Sequence, residues 1–384
     1  MEVADIVRTQ GDHFVERHRS WLSYQQLAVL RALAACRTSS LGGHVDRCST
    51  CGYKAISYNS CRNRHCPKCQ AQARRRWLDA REQELLGVSY FHVVFTLPQE
   101  LNALCKRNAK VIYNLLFRAS AETMLELARD PKHLGAEIGF LSILHTWGQN
   151  LSLHPHVHCV VPAGGLSPDH QCWVRPRYRF FLPVKVLGRI FRQRFVRGLR
   201  RAHCRRLLVF GGKTASLSDA GRFQAFLDTL FRQDWIVYAK PSLGGPRTVL
   251  RYLGRYTHRV AISNHRLLTF DGQQVTFRWK DYAHGNHYRT MTLPAPEFLR
   301  RFLQHVLPRG FVRIRQFGYL ANPCRTARLA LARKLLDFIP TRGTPTPPAG
   351  VVTWNCPECG SPMQIGPNLT AAELAWRCKF FDTS

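Results

Sequence analysis

HTWGQNLSLHPHVH, residues 145–158, decides how this chain folds. It closes on His156-Val157-His158 and runs on into the apolar Cys159-Val160-Val161. Alternate side chains of a β-strand share a face, so His156 and His158 point one way while Val157 packs behind them. Two imidazoles one pleat apart can chelate a single divalent cation. Proline is tolerated near a strand start or on an edge, so Pro155 places the start of this strand near His156. Residues 140–147 read as a second strand, and a turn through Gly148-Gln149-Asn150 folds it back beside the first. The hairpin brings His145 or Gln149 within reach as a third ligand. Any one of these histidines alone reads as an ordinary surface or core residue. A His-apolar-His pair with more polar ligands just upstream buries poorly without a metal, and the cluster reads as a metal site.

A second stretch supplies what such a metal would serve: Arg251-Tyr252-Leu253-Gly254-Arg255-Tyr256-Thr257-His258-Arg259. As a helix it places Tyr252 and Tyr256 at i and i+4 on one face, with Arg251, Arg255 and Arg259 in a parallel row. Tyrosines at this spacing more often mark a core-facing stripe. A phenol, with a pKa of about 10, is a poor nucleophile near neutrality unless a metal or cations assist it. The histidine cluster offers that assistance, so the two stretches together read as phosphodiester chemistry.

LHPHVHCVVPAGG (153–165) followed by YLGRYTHRVAIS (252–263) resembles the HUH-type two-tyrosine rolling-circle transposases of the insertion sequence 91 family. NSCRNRHCPKCQ (59–70) and LPRGFVRIRQFGYLANPCR (307–325) resemble it too, so the likeness spans roughly residues 10 to 340. The expected fold is α+β: a central, mainly antiparallel sheet with flanking helices, preceded by a helical and zinc-ribbon N-terminal domain. The resemblance implies a transposase that cleaves and rejoins single-stranded DNA through a 5′-phosphotyrosine. Tyr252 and Tyr256 would be the nucleophiles, and Mg²⁺ or Mn²⁺ would sit on His156, His158 and either His145 or Gln149. Two tyrosines would let one hold the donor end while the other cuts again. Rolling-circle replication initiators of plasmids or phages, and relaxases, share such a core and remain the alternative within the enzyme class. A zinc-dependent DNA-binding regulator without chemistry is the alternative outside it.

The first strong metal signal is Cys48-x2-Cys51 followed by Cys66-x2-Cys69, a pattern that fits one four-cysteine zinc ribbon. His44, Cys61 and His65 are additional candidates that could replace a ligand or build a second site. Cys356-x2-Cys359-Gly360 near the C-terminus is a lone half-ribbon and receives no complete site. Arg74, Arg75 and Arg76 beside the ribbon, with Arg251, Arg255 and Arg259, are the candidate DNA contacts.

Bulk composition agrees with a nucleic-acid partner. Lysine and arginine number 56 against 24 acidic residues, a formal net charge of +32, while 45% of residues are hydrophobic. A globular core with this cationic excess calls for a polyanion. Residues 175–206 are dense in arginine with no acidic residue among them. No Walker-type phosphate loop occurs, so no nucleotide cofactor is expected. Residues 1–30 hold no apolar signal segment, and no membrane partner is expected. The expected compartment is the reducing bacterial cytoplasm, at the nucleoid, where CxxC pairs bind metal rather than forming disulfides.

Along the chain, residues 1–36 and 70–86 read as helical, 90–97 as the first strand of the catalytic sheet, and 99–130 as one or two helices. Residues 221–232 read as a helix, 234–240 as a strand, 266–279 as a hairpin turning at Asp271-Gly272, 288–293 as a further strand and 298–306 as a helix. TRGTPTPPAG (341–350) reads as a linker. The expected domains are 1–86, helical and zinc-binding; 87–340, catalytic; and 341–384, linker and CxxC tail.

Overall fold

The structure, a computed structural model, describes the chain apart from residues 177–181, 242–247, 249–253, 255–260, 282–284, 340–353 and 379–384, and apart from the side chains of 71–73, 241 and 376–378. The described residues divide into two compact units, neither of them a continuous segment. One comprises Met1–Ala73, Ile262–Val306 and Thr341–Ser384; the other comprises Arg74–Ala261 and Leu307–Pro340. This division differs from three successive domains: the C-terminal tail and the 262–306 segment belong with the N-terminal residues.

In the first unit, helices α1 (Val3–His18) and α2 (Tyr24–Ala34) replace the single helical stretch expected over 1–36. The break is encoded at Ser23, whose hydroxyl accepts from the Gln26 backbone N–H while the Gln26 side chain accepts from the Ser23 N–H. Such a capping box satisfies two orphan donors and starts a new helix. Strands β1 (Gly43–Cys48) and β2 (Lys54–Tyr58) form a hairpin. β1 also pairs with β13 (Met363–Gln364) and β14 (Asn368–Leu369), which precede α10 (Ala371–Cys378). A separate antiparallel sheet holds β9 (Leu267–Phe270), β10 (Gln274–Asp281) and β11 (His287–Pro294), followed by α8 (Ala295–Leu303). The Asp271-Gly272 turn forms as expected. Asp271 Oδ1 accepts the N–H groups of Gln273 and Gln274, and Gly272 takes φ +96°, a conformation that favours glycine.

The second unit is built on a five-stranded sheet of order β12-β4-β5-β3-β8, antiparallel throughout. Its strands are β3 (Tyr90–Thr96), β4 (Gly139–Trp147), β5 (Leu153–Pro162), β8 (Val237–Pro241) and β12 (Ile314–Gly318). A two-stranded hairpin, β6 (Gly165–Leu166) with β7 (Trp173–Val174), follows β5. One face of the sheet packs on α4 (Asn102–Arg107), α5 (Ala109–Arg129), α6 (Val184–Cys204) and α7 (Ala220–Arg232), around Val93, Phe95, Phe140, Leu144, Val157, Phe191 and Phe195. Fully burying each such side chain is worth about 1.5–3 kcal/mol. The opposite face is covered over Leu141, Ile143, Val160 and Tyr90 by α3 (Gln70–Glu82) and α9 (Arg325–Leu335). The α+β expectation and its antiparallel sheet are therefore the observed fold.

Pro155 lies inside β5, a central strand, rather than at its start. Pairing with β4 runs Ile143↔His158 and His145↔His156, then shifts to Trp147↔Leu153. His154 and Pro155 of β5 thus oppose the single Thr146 of β4, and the extra residue is a bulge. A proline that donates nothing is accommodated where the ladder is already broken. Its carbonyl still accepts the Leu97 N–H at 3.0 Å.

Candidate active site and metal centres

His156 and His158 come from alternate positions of β5 and His145 from β4, directly opposite His156. Paired residues of neighbouring strands share a face, so all three project from the side that α3 and α9 cover only in part. Their ligand-capable nitrogens lie within 4.8 Å of one another. Ring centroids are 5.3 Å apart for His145–His156, 4.3 Å for His145–His158 and 4.8 Å for His156–His158. His145 is 2% exposed and stacks on Trp147 at 4.8 Å, which shields one side of the cluster. Gln149, the other candidate third ligand, lies in the turn between β4 and β5.

Two partners orient the rings. His156 Nδ1 lies 2.6 Å from the His154 carbonyl oxygen, so Nδ1 carries the proton and Nε2 keeps its lone pair. His158 Nδ1 lies 2.8 Å from His92 Nε2, and these two rings stack almost parallel, 6° apart. Burial pushes His158 well below the ordinary histidine pKa, with the neighbouring imidazoles adding to the effect. Burial likewise holds His92 down at about 4. Neutral imidazoles are the form that binds metal. His92, on β3, is a neighbour of the cluster and not one of its three converging ligands. Its signal in the sequence is positional: in YFHVVFTL it shares a strand face with Val94 and Thr96, which oppose His158 and His156.

Tyr252, Tyr256, Arg251, Arg255 and Arg259 lie outside the described residues. Gly254, between the two tyrosines, is described: it is helical and buried. A Cβ there would meet Leu78 at 2.6 Å, and Leu78 packs with the core beneath α3 on the histidine side of the sheet.

The cysteines group differently from the expected ribbon. Cys48 and Cys51 do not meet Cys66 and Cys69. Cys66 and Cys69 cluster with Cys36 and Cys61, and Cys48 and Cys51 cluster with Cys356 and Cys359. In the first group Cys36 Sγ lies 3.7 Å from Cys66 and 3.5 Å from Cys69, and Cys61 lies 3.6 Å from Cys69. A tetrahedral metal with Zn–S bonds of about 2.3 Å spaces its sulfurs about 3.8 Å apart. Of the additional candidates, Cys61 thus joins a cluster. His44 instead faces Asp46 at 3.4 Å, and His65 is buried with its backbone N–H donating to Asn63 Oδ1. The sequence did carry a signal for the true pairing. Cys51 and Cys359 are each followed by glycine, whereas Cys69 is followed by Gln70.

The basic surface is also divided. Arg74, Arg75 and Arg76 are exposed on α3. α6 buries Phe191, Phe195 and Leu199 and exposes Arg189, Arg197, Arg200 and Arg201. Its arginines are less unbalanced than the local sequence indicates: Arg194 contacts Glu122 and Glu126 of α5, and Arg192 lies 3.7 Å from Asp234. A cavity of about 710 Å³ between α5 and α6 is lined by Arg118, Arg194, Arg197, Arg201 and Arg205. No helix among the described residues is long and apolar enough to cross a membrane.

A His-hydrophobic-His strand at the centre of an antiparallel sheet is the arrangement for which HUH proteins are named. Residues 139–328 match the family model described as "Putative transposase", and residues 6–97 match "Transposase zinc-binding domain". The chain is 52% identical over 337 residues to "Putative transposase y4qJ" of Sinorhizobium fredii, covering 88% of this chain and 84% of that one. It is 29% identical over 308 residues to "Transposase for insertion sequence element IS801" of Pseudomonas savastanoi pv. phaseolicola, covering 77% and 70%. No solved structure matches it. The chain belongs to the insertion sequence 91 family of HUH-type transposases and carries that family's N-terminal zinc-binding domain. Membership brings a DNA-nicking and strand-transfer role.

Proposed function

We propose that this chain cleaves and rejoins single-stranded DNA through a 5′-phosphotyrosine formed on Tyr252 or Tyr256, with a divalent cation held by His145, His156 and His158. The observation that carries this reading is the convergence of three imidazoles, two of them oriented by a second partner through Nδ1. Such partners fix ring tautomer and raise ligand basicity at metal sites. Three histidines leave coordination positions open for the oxygens of substrate and water, which a catalytic Mg²⁺ or Mn²⁺ would need beside imidazole nitrogen. When bound, that cation supplies a Lewis acid for a non-bridging phosphate oxygen.

The protein's own groups do the rest. One tyrosine Oη gives up its proton and attacks phosphorus. The P–Oη bond forms as the P–O3′ bond breaks, and the departing 3′-oxygen takes a proton. The phosphodiester's energy is retained in the tyrosyl ester, so rejoining needs no nucleotide cofactor. The i, i+4 spacing of the tyrosines and the helical, buried Gly254 between them support a shared face for the two phenols. A second tyrosine allows a second cut while the first still holds an end. Cys36, Cys61, Cys66 and Cys69 hold a structural zinc in this reading, with no open position for chemistry. The exposed Arg74–Arg76 run contacts DNA phosphates, as do Arg251, Arg255 and Arg259.

Covalent trapping tests it. With labelled single-stranded DNA carrying a transposon end and Mn²⁺, wild-type protein should give an adduct that survives a denaturing gel. Chelator, His156→Ala and the double variant Tyr252→Phe/Tyr256→Phe should each abolish it, while the double variant keeps its Mn²⁺ affinity. An adduct from the double variant would place the nucleophile elsewhere.

A further inference from the structure

We propose that Cys48, Cys51, Cys356 and Cys359 bind a second structural zinc ion, and that this ion fastens the C-terminal segment onto β1 to complete a zinc ribbon begun more than 300 residues earlier. Neither matched family region reaches Cys356 or Cys359, and the proposal is independent of the histidine centre.

Four thiols converge. Cys48 Sγ lies 3.4 Å from Cys359 Sγ, Cys51 Sγ lies 3.5 Å from Cys356 Sγ, and all four sulfurs fall within 4.8 Å of one another. These spacings are far beyond a disulfide bond and close to the edges of a metal tetrahedron. The two contributing turns are near copies. In CSTCG the Cys48 N–H donates to the Tyr53 carbonyl at 2.8 Å, and the Gly52 N–H returns to the Cys48 carbonyl at 3.1 Å. In CPECG the Cys356 N–H donates to the Ser361 carbonyl at 2.8 Å, and the Gly360 N–H returns to the Cys356 carbonyl at 2.9 Å. Gly52 and Gly360 take φ +75° and +73° with nothing near their would-be Cβ positions, so backbone conformation rather than space calls for glycine.

The strands agree with the sulfurs. β13 adds to β1 through Cys48↔Met363 and β14 through Gly43↔Leu369. The Trp354 indole N–H donates to Asp46 Oδ2 at 2.8 Å, the oxygen that also accepts from Ser57. Among the described residues, the buried apolar cluster around the sulfurs is small, Cys48, Cys356 and Met363 with Tyr53, Ala55 and Trp354 packed on it, and Leu369 and Leu374 are the other buried apolar residues of the C-terminal segment. Small ribbons with so little apolar core around their ligands are commonly held by metal. Four sulfur ligands leave no vacancy for substrate, so the role is structural. A tetrathiolate site also suits iron, and the experiment separates the two.

The test uses full-length protein purified without chelator. Elemental analysis should find two zinc ions per chain, no iron and no visible absorption. Cys356→Ser/Cys359→Ser and Cys48→Ser/Cys51→Ser should each leave one, and all four substitutions together should also leave one, because both pairs serve the same ion. Should a variant fail to fold, the wild type suffices. Alkylation followed by mass mapping should find Cys48, Cys51, Cys356 and Cys359 protected together, then labelled together after chelation. One zinc in the wild type, a further loss in the quadruple variant, ready labelling of Cys356 and Cys359 before chelation, or iron on these ligands would overturn the proposal. None of these outcomes bears on Mn²⁺ binding at the histidines, so failure here leaves the catalytic reading standing.

Discussion

His92 shows how much of a metal centre lies one residue behind its ligands. If His158 is to present Nε2 to a cation, its Nδ1 must carry the proton, and His92 Nε2 at 2.8 Å is the acceptor that holds it there. Replacing the partner of a ligating histidine costs about 10–100-fold in metal affinity. His92→Leu should therefore weaken Mn²⁺ binding by that order, and His92→Gln, whose amide oxygen can accept the same proton, should recover part of it. Titration followed by electron paramagnetic resonance reads both; equal affinities in wild type and His92→Leu would make His92 a packing residue only. A pH prediction follows from the same burial. A base whose pKa is lowered stays neutral to lower pH. With His158 held well below its ordinary value and His92 at about 4, protons should not compete with Mn²⁺ until the pH is clearly below about 6.5, the free imidazole value. Mn²⁺ affinity should stay level from neutrality through that point and fall only on further acidification. A midpoint at 6.5 would mean that the rings are solvated in the apo protein.

The strand β5 carries the site because its two faces do different work. Val157 and Cys159 are buried in the larger core, while His156 and His158 project from the other face. That alternation was readable from HVHCVV alone, since period 2 needs no distant partner. The bulge was not, because it belongs to the pairing of β5 with β4 rather than to either segment. It explains why proline is harmless at 155, and it distinguishes two substitutions. Pro155→Ala should cost only about 0.4–1 kcal/mol, the entropy the ring removed from the unfolded chain, and leave Mn²⁺ affinity unchanged. Val157→Pro, two residues on in regular ladder, removes a ladder hydrogen bond from a central strand and should destabilise far more and abolish metal binding. Denaturant melts and Mn²⁺ titration compare them; a Pro155→Ala protein as damaged as Val157→Pro would show that the ring itself sets the register. The same contrast between local and distant pairing governs the cysteines. Counting CxxC spacings along the chain joined Cys48-Cys51 to Cys66-Cys69, its nearest neighbour in sequence. The structure joins it instead to residues 305 positions away. Strand β12, a half-buried five-residue edge, left no periodic trace long enough to be read either, although its LPRGFVRIR context marked the family.

At the scale of the whole molecule, a net charge of +32 must be deployed on particular faces, and the sheet separates two of them. α6 packs with Phe191 and Phe195 against the side of the sheet that carries Phe95 and Val157, the side opposite His156 and His158. Its exposed arginines therefore act at a distance from the reacting phosphate, and their contribution should be binding without chemistry. Each phosphate contact on single-stranded DNA adds about 0.7 to the slope of log affinity against log salt. Replacing Arg189, Arg197, Arg200 and Arg201 by alanine should flatten that slope by up to about 2.8 and weaken binding evenly across DNA sequences. Mn²⁺ affinity should be unchanged, and so should the position and saturating rate of cleavage, because none of the four lies on the histidine face. His156→Ala should do the converse, removing cleavage while keeping the salt slope. Fluorescence anisotropy across a salt series, paired with single-turnover cleavage, reads both halves. A quadruple variant with an unaltered slope would assign α6 to plain solvation. One that shifts the cleavage position would mean that DNA bound along α6 sets the register of the strand at the histidines, with the path between them running around the edge of the sheet.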